Sequence, residues 1–185
     1  MRKVLMVIDM QEDFVGEAGA LSFPAAREII PFVAQKIRSA ITQGHEILFT
    51  LDTHFPEDKE FQKFPPHCIE GTPGHSLIPE LKAIIVSPKY EGQIHFLKKN
   101  RYSAFYGTDL DNWLGLTPDS QKEKVTEVEL VGVCTNICCF FTAEELANRD
   151  IPVIAYAQGM ASFDHTAHTF ALEQMCRILG VKVIE

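Results

Sequence analysis

One aspartate and two histidines in the first half of the chain could bind a metal ion. Asp52-Thr53-His54 follows an apolar run, and His67 lies in Phe64-Pro65-Pro66-His67-Cys68. Residues i and i+2 of a strand point to the same side, so the side chains of Asp52 and His54 can reach one cation. Glu60 could complete a ligand set that suits Zn²⁺, Mn²⁺ or Fe²⁺. Such triples also occur by chance in proteins that bind no metal.

A second segment could supply a nucleophile. Gly132-Val133-Cys134-Thr135-Asn136-Ile137-Cys138 joins an apolar run to a stretch with helical spacing. Cys138 would lie in the first turn of that helix, where free backbone N–H groups and the helix dipole favour a thiolate. The same N–H groups could stabilise an oxyanion after attack on an acyl carbon. From this segment alone, small buried structural cysteines are an equally good interpretation.

A cysteine nucleophile requires a group that accepts its proton, and Asp9 is the candidate. It follows the apolar run 3–8, where partial burial would raise its pKa towards a useful range. Lys98 and Lys99 precede Asn100-Arg101-Tyr102-Ser103-Ala104-Phe105, and either ammonium group could stabilise a thiolate. The structural alternatives are an aspartate that caps a turn and a lysine pair on a solvated face.

The elements that must position these residues alternate between strands and helices. Apolar runs predict strands at 3–8, 46–51, 83–87, 94–97, 127–133, 152–155 and 181–184. Apolar residues at helical spacing predict helices at 29–42, 135–148 and 165–179, the last of which carries His165 and His168 as candidate surface residues. Residues 53–80 are predicted to form an extended functional loop. This alternation predicts a parallel sheet with helices on both faces and ligands beyond the carboxyl ends of its strands.

The composition limits the class of protein. The chain has 185 residues, 46% of them hydrophobic, which predicts one globular domain over 1–185. A formal net charge of -8 without a Lys/Arg run gives no electrostatic footprint for nucleic acid or anionic membrane. No apolar run reaches the ~18 residues that a membrane span requires. Five cysteines, an odd number, indicate free thiols in a reducing cytoplasm.

Four blocks of the sequence resemble the isochorismatase-like cysteine hydrolases, and among them the nicotinamidases. They lie, in the family's order, at 8–14 (Ile-Asp-Met-Gln-Glu-Asp-Phe), at 52–54 with 64–74, at 99–105 and at 132–138. The resemblance extends over nearly the whole chain. It implies a three-layer α/β/α fold with a six-stranded parallel sheet, and a cis peptide between Val133 and Cys134.

The resemblance also implies a role for individual residues. Asp9 becomes the general base, Lys99 rather than Lys98 the catalytic lysine, and Cys138 rather than Cys134 or Cys139 the nucleophile. The N–H groups of Cys134 and Cys138 are then the oxyanion hole. The implied metal ligands are Asp52, His54, Glu60 and His67. The implied substrate-stacking residues are Phe14, Phe64 and Tyr106.

The activity that this resemblance implies is hydrolysis of nicotinamide to nicotinate and ammonia through a thioester, a step of NAD salvage. One divalent metal is expected, with Zn²⁺ as the first choice and Mn²⁺ or Fe²⁺ as alternatives. The expected partners are a small-molecule substrate, with pyrazinamide as a close analogue, and further copies of the chain in a homo-oligomer.

Three other functions are weighed against this one: an amidohydrolase for ureido or carbamoyl compounds, an isochorismatase, and a catalytically silent metal-binding member. The metal block argues against the first, because those relatives generally lack it, and isochorismatase chemistry needs no nucleophilic cysteine. Asp9, Lys99 and Cys138 together argue against the third. The sequence departs from the family pattern at Phe64, where some nicotinamidases have Trp, and at Asn136, where Asp is common.

Overall fold

The apolar runs of the sequence form a six-stranded parallel sheet between two layers of helices, in a computed structural model that describes residues 1–185. The strands are β1 (Arg2–Ile8), β2 (Glu46–Asp52), β3 (Ile94–Lys99), β4 (Val125–Val133), β5 (Val153–Ala161) and β6 (Lys182–Ile184). The helices are α1 (Glu12–Val15), α2 (Pro24–Glu28), α3 (Ile30–Gln43), α4 (Pro79–Ile85), α5 (Leu110–Trp113), α6 (Phe140–Ala147) and α7 (His165–Arg177). None of these helices is long and apolar enough to cross a membrane.

The order of the strands leaves a crevice at the centre of the sheet. The order is β3-β2-β1-β4-β5-β6, and every neighbouring pair is parallel. The chain therefore moves outwards from β1 to β3 and then crosses to β4 on the other side of β1. Ligands of such sheets bind outside the carboxyl ends of the strands where the order reverses, here those of β1 and β4.

The side chains of β1 alternate between two hydrophobic cores. Val4, Met6 and Ile8 pack in the core that includes residues of α5, α6 and α7, whereas Leu5 and Val7 pack in the core with α2, α3 and α4. A strand buried on both faces reads as a continuous apolar run. The predicted three-layer α/β fold is therefore confirmed, and its central strand has no solvent-facing side.

The predicted strand at 83–87 is wrong, because α4 occupies Pro79–Ile85. Pro79 takes the first helical turn, where its missing N–H costs nothing and its fixed φ suits a helix. Leu81 is fully buried, and Ile84 and Ile85 pack against the same core as α3. The apolar residues of this segment thus follow a helical period, which the short run Ala-Ile-Ile-Val conceals.

Other predicted elements differ mainly in their bounds. Strand β5 continues to Ala161, six residues beyond its predicted end at 155. The predicted helix at 135–148 begins with a π-helical turn, Thr135–Cys139, before α6. Within 53–80 the chain forms two short 3₁₀ helices, Lys59–Gln62 and Pro73–His75, before α4 begins.

Candidate active site

Three reactive side chains meet at the carboxyl edge of the sheet: Asp9 directly follows β1, Lys99 ends β3, and Cys138 lies in the turn after β4. Lys99 Nζ lies 2.7 Å from Asp9 Oδ2 and 3.6 Å from Cys138 Sγ. The side chains of Asp9 and Lys99 are almost wholly inaccessible to solvent, and Cys138 is also buried. Lys98 points the other way and pairs with Glu70 in solvent. The structure thus brings together Asp9, Lys99 and Cys138, which lie up to 129 residues apart in sequence.

Asp9 is held in an uncommon backbone conformation by its neighbour on β2. Its φ of 50° lies in the left-handed region, which residues other than glycine rarely adopt. Thr50 Oγ1 donates a hydrogen bond to Asp9 Oδ1 at 2.6 Å and accepts one from the Asp9 N–H at 3.1 Å. Because Thr50 is fully buried, this pair of bonds fixes one carboxylate oxygen and leaves Oδ2 facing Lys99.

Burial and the charges of neighbouring groups together set the proton affinities of the three groups. It raises the pKa of Asp9, against the Lys99 ammonium, which lowers it. Burial alone would lower the pKa of Lys99, but the carboxylates of Asp52 and Asp9 hold that pKa well above its ordinary value. Burial raises the pKa of the Cys138 thiol well above its usual range, although Lys99 opposes this. The expectation that a helix N-terminus favours a thiolate is therefore outweighed, and the thiol needs a base.

The turn that carries the nucleophile has an unusual backbone. The cis peptide between Val133 and Cys134 is present, as the resemblance implied. The Cys134 carbonyl accepts hydrogen bonds from the N–H groups of Ile137, at 3.0 Å, and Cys139, at 3.2 Å. The N–H of Cys138, which lies between them in sequence, is not bonded to this carbonyl. Single π-helical turns of this kind occur frequently at functional sites.

Asp52, His54 and His67 converge next to these groups. Their nearest ligand atoms lie within 4.8 Å of one another, and all three residues are buried. Asp52 Oδ2 is 3.0 Å from His54 Nε2 and 3.5 Å from His67 Nε2, while Asp52 Oδ1 accepts a hydrogen bond from Lys99 at 3.2 Å. The predicted metal ligands and the predicted catalytic groups are therefore in direct contact through the hydrogen bond between Asp52 and Lys99.

Hydrogen bonds to the outer nitrogen of each histidine orient the rings. His54 Nδ1 donates to Asp58 Oδ2 at 3.0 Å, and His67 Nδ1 donates to the Pro65 carbonyl at 2.8 Å. Since both partners can only accept, the proton is on Nδ1, and Nε2 of each ring faces Asp52. Two imidazole nitrogens and one carboxylate in this arrangement fit a divalent metal such as Zn²⁺.

Asp58 and Arg101 extend the convergent group, and the sequence does not predict a role for either residue. Arg101 donates to both carboxylate oxygens of Asp58, at 3.2 and 3.3 Å. The hydrogen bonds to His54 and Arg101 hold the pKa of Asp58 at about 2, against a raising effect of burial. The only signal in the sequence is an aspartate four residues after His54. Glu60, the fourth predicted ligand, lies outside the convergent group and has its Oε2 3.7 Å from Arg101.

One cavity connects the thiol with the convergent Asp-His-His group. It is lined by Phe14, Leu21, Asp52, Glu60, Phe64, His67, Tyr102, Val133, Cys134, Ile137, Cys138 and Phe163. The rings of Phe14 and Phe64 lie with their centroids 5.4 and 6.2 Å from that of His67. A flat aromatic amide could therefore stack on apolar walls while its polar ends face the thiol and the three candidate ligands.

The structure does not bring Tyr106 to this cavity. Tyr106 is 63% exposed, whereas the preceding residue, Phe105, packs in the core. Tyr102 lines the cavity instead and stacks on Phe141 with a centroid distance of 5.9 Å. The sequence places both tyrosines in the same short segment, so only the side-chain directions distinguish them.

Known proteins share the whole of this architecture. The chain matches the isochorismatase domain over residues 3–184. A Bacillus subtilis relative, described as an uncharacterized isochorismatase family protein, PncA, is 33% identical, and the match covers 100% of both chains. The nicotinamidase/pyrazinamidase of Mycobacterium tuberculosis is 27% identical, with 98% of both chains covered.

Solved structures agree with these matches. The crystal structure of nicotinamidase/pyrazinamidase PncA from Bacillus subtilis gives a TM-score of 0.91 at 33% identity, with 100% of both chains covered. The pyrazinamidase of Pyrococcus horikoshii in complex with zinc gives a TM-score of 0.85 at 28% identity, with 100% of this chain and 99% of that one covered.

Proposed function

The chain belongs to the isochorismatase family, and from that premise we propose that it is a nicotinamidase that hydrolyses nicotinamide to nicotinate and ammonia. The observation that carries the proposal is the convergence of Asp9 and Lys99 on Cys138, which lines one cavity together with Asp52 and His67. Relatives described as nicotinamidases, which match along most of the chain, support it.

Binding of the substrate would depend on the apolar walls and on the convergent ligands. Phe14 and Phe64 would stack on the pyridine ring. Asp52, His54 and His67 would hold the metal ion, and Glu60, which lines the same cavity, would be the fourth ligand. A divalent metal there, with Zn²⁺ as the first choice, would act as a Lewis acid that orients the pyridine ring.

In the proposed reaction Asp9 accepts the proton of the Cys138 thiol while the sulfur attacks the carboxamide carbon. The oxyanion that forms is stabilised by the N–H groups of Cys134 and Cys138, and loss of one such donor typically costs about 10²–10³-fold in kcat. The Lys99 ammonium stabilises the negative charge as it moves between sulfur and carboxylate.

The second half of the reaction regenerates the thiol. The C–N bond breaks, Asp9 returns its proton to the departing ammonia, and a thioester to Cys138 remains. Water then attacks the thioester carbon while Asp9 takes a proton from it. The C–S bond breaks, nicotinate leaves, and the sulfur regains its proton from Asp9.

Ammonia release from nicotinamide, measured with and without a chelator, tests this proposal directly. We expect Cys138→Ala to abolish ammonia release and to retain bound metal, because its thiol is not among the convergent ligands. Asp52→Ala should instead lose the metal and weaken substrate binding. Cys139→Ala is the matched control, since Cys139 is buried in the core and should be dispensable for catalysis. Full activity of Cys138→Ala refutes the covalent route.

The same assay separates neighbouring functions. Pyrazinamide should also be hydrolysed, because its ring differs from that of nicotinamide by one nitrogen in place of CH. Ammonia release from a carbamoyl or ureido compound, and none from nicotinamide, would overturn the nicotinamidase proposal. We further propose a cytoplasmic homo-oligomer in NAD salvage; all five cysteines are free, which supports a reducing compartment.

A further inference from the structure

Residues 162–168, the segment that leads into α7 together with the first turn of that helix, contact the nucleophile turn, defined as residues 134–138, through two side-chain hydrogen bonds. Thr135 Oγ1 lies 2.8 Å from His168 Nδ1, and Ser162 Oγ donates to Asn136 Oδ1 at 2.6 Å. Thr135 is fully buried, and Ser162 is nearly so. The two hydrogen bonds are made to Thr135 and Asn136, the two residues directly after Cys134.

This segment is itself firmly held. Asp164 caps α7 by accepting a hydrogen bond from the N–H of Ala167 at 3.0 Å, and its carbonyl accepts one from the N–H of His168 at 2.9 Å. The helix has 13 residues, and Met175 anchors it in the core. Ser162 and His168 therefore lie at fixed positions on either side of the cap.

The nucleophile turn needs support of this kind. In an α-helix each N–H bonds to the carbonyl four residues earlier, but here the Cys134 carbonyl bonds to the N–H groups of Ile137 and Cys139. A π-helical turn is rare and departs from the regular hydrogen bonding of an α-helix. The direction of the N–H groups of Cys134 and Cys138 thus depends on what holds the residues between them.

We propose that Ser162 and His168 are positioning residues, which clamp the nucleophile turn so that the N–H groups of Cys134 and Cys138 meet the developing oxyanion. This inference rests on the proposed function, because an oxyanion forms there only if Cys138 attacks an acyl carbon. Neither clamp residue lines the cavity, and each acts through a residue of the turn. Their contribution belongs to the transition state, so its loss lowers kcat and leaves KM unchanged.

Five substitutions, one of them a control, separate this role from a general effect on folding. His168→Ala and Ser162→Ala each remove one contact of the clamp. His168→Asn places an amide group near the former Nδ1, and Asn136→Asp keeps the oxygen that accepts from Ser162, so both should retain activity. His165→Ala is the matched control, because His165 lies one turn earlier on α7, is exposed, and only stacks on His168 at 6.2 Å.

The affinity for pyridine-3-carbaldehyde reports the oxyanion donors directly. The Cys138 sulfur forms a C–S bond to the aldehyde carbon, the carbonyl π bond opens onto oxygen, and the thiol proton passes to that oxygen through Asp9. The tetrahedral adduct uses the oxyanion hole, as a transition-state analogue does. Nicotinate fills the same cavity without such an adduct and therefore reports ring binding alone.

We measure kcat and KM for nicotinamide, dissociation constants for the aldehyde and for nicotinate, and the urea midpoint of each variant. His168→Ala and Ser162→Ala should lower kcat by about tenfold to a hundredfold, with KM unchanged. Aldehyde affinity should fall by a similar factor, whereas nicotinate affinity and the urea midpoint should not change. The control His165→Ala should match the wild type.

If the wild type is active on nicotinamide, either of two results overturns the clamp proposal. One is a wild-type kcat in both alanine variants. The other is a loss of activity that comes with a changed KM, a lower nicotinate affinity or a lower urea midpoint. That result would mean that these residues have a structural role only. A wild type that releases no ammonia from nicotinamide overturns the proposed function itself, and the clamp with it.

Discussion

Thr50 determines how the candidate base is presented to the thiol. Its hydroxyl donates to one oxygen of Asp9 and accepts from the N–H of the same residue. A donor to a carboxylate stabilises the ionised form and so lowers its pKa, which partly offsets the effect of burial. A neutral neighbour, Thr50, thus lowers the pKa of Asp9 in the same direction as Lys99 does, against the effect of burial.

Thr50→Val should move the acidic limb of the pH profile of kcat/KM to higher pH. The substitution removes the donor at nearly constant volume, so the pKa of Asp9 rises and a larger share of the base is protonated at any given pH. We expect kcat/KM at neutral pH to fall by about tenfold, the usual effect of one hydrogen bond to a charged group.

Thr50→Ser is the control for this change, because it keeps the hydroxyl and removes only a methyl group. Its pH profile should coincide with that of the wild type. An unshifted acidic limb in Thr50→Val would mean that the hydroxyl does not influence the proton affinity of Asp9.

For individual residues, the sequence predicts that the reactive groups lie close together, but it does not predict which side chains hold them in place. Asp9 and Lys99 lie at strand ends, and the parallel order of the strands brings such ends to one edge. Asp58 and Tyr102 lie in segments without periodic structure. Their contacts depend on side-chain directions that no repeating pattern determines.

Among the strands and helices, the close approach of β1 and β4 matters most for the site. Gly132 has a φ of +124°, a conformation that residues with a Cβ rarely adopt. A Cβ at this position would lie 2.1 Å from the carbonyl oxygen of Ile8. The two strands that carry Asp9 and the nucleophile turn are therefore packed with backbone directly against backbone.

Gly132→Ala should destabilise the protein by about 3 kcal/mol or more, because it combines a strained backbone with a clash that only movement of β1 can relieve. Urea unfolding measures the change. Gly92→Ala is the control, because its added Cβ meets no atom within 4 Å; we expect its effect to stay within about 0.5 kcal/mol. Equal stabilities of the two variants would contradict the packing argument.

The elements themselves could be predicted where an apolar run has a single interpretation. The run 3–8 is flanked by charged residues and is a strand, as expected. The run 83–87 has two interpretations, because it overlaps the end of α4. The signal for this helix is Pro79 in its first turn, which lies before the run. The π-helical turn Thr135–Cys139 has no sequence signature distinct from that of an α-helix.

For the whole molecule, the convergent ligands connect a long loop to the sheet. Asp52 ends β2, whereas His67 lies within 53–80, a region with little regular structure of its own. A metal ion shared by both binds only the folded chain and therefore stabilises it by mass action.

Removal of the metal should lower the melting temperature of the protein. At a free metal concentration of 100 times the dissociation constant the stabilisation is about 2.7 kcal/mol. For a chain of this length that corresponds to roughly 5–10 °C. Thermal melting with chelator, and again after addition of Zn²⁺, measures it. The melting temperature of Asp52→Ala should not respond to either reagent, and an unresponsive wild type would contradict the metal site.

Strand β3 lies at the edge of the sheet and pairs only with β2, yet its last residue is Lys99. Edge strands fray at a lower free-energy cost than central ones. A brief opening there would withdraw the ammonium group from Asp9 and Cys138 while the other five strands kept their pairing. An edge strand would then set the operating temperature, and heat would stop turnover before it unfolded the protein.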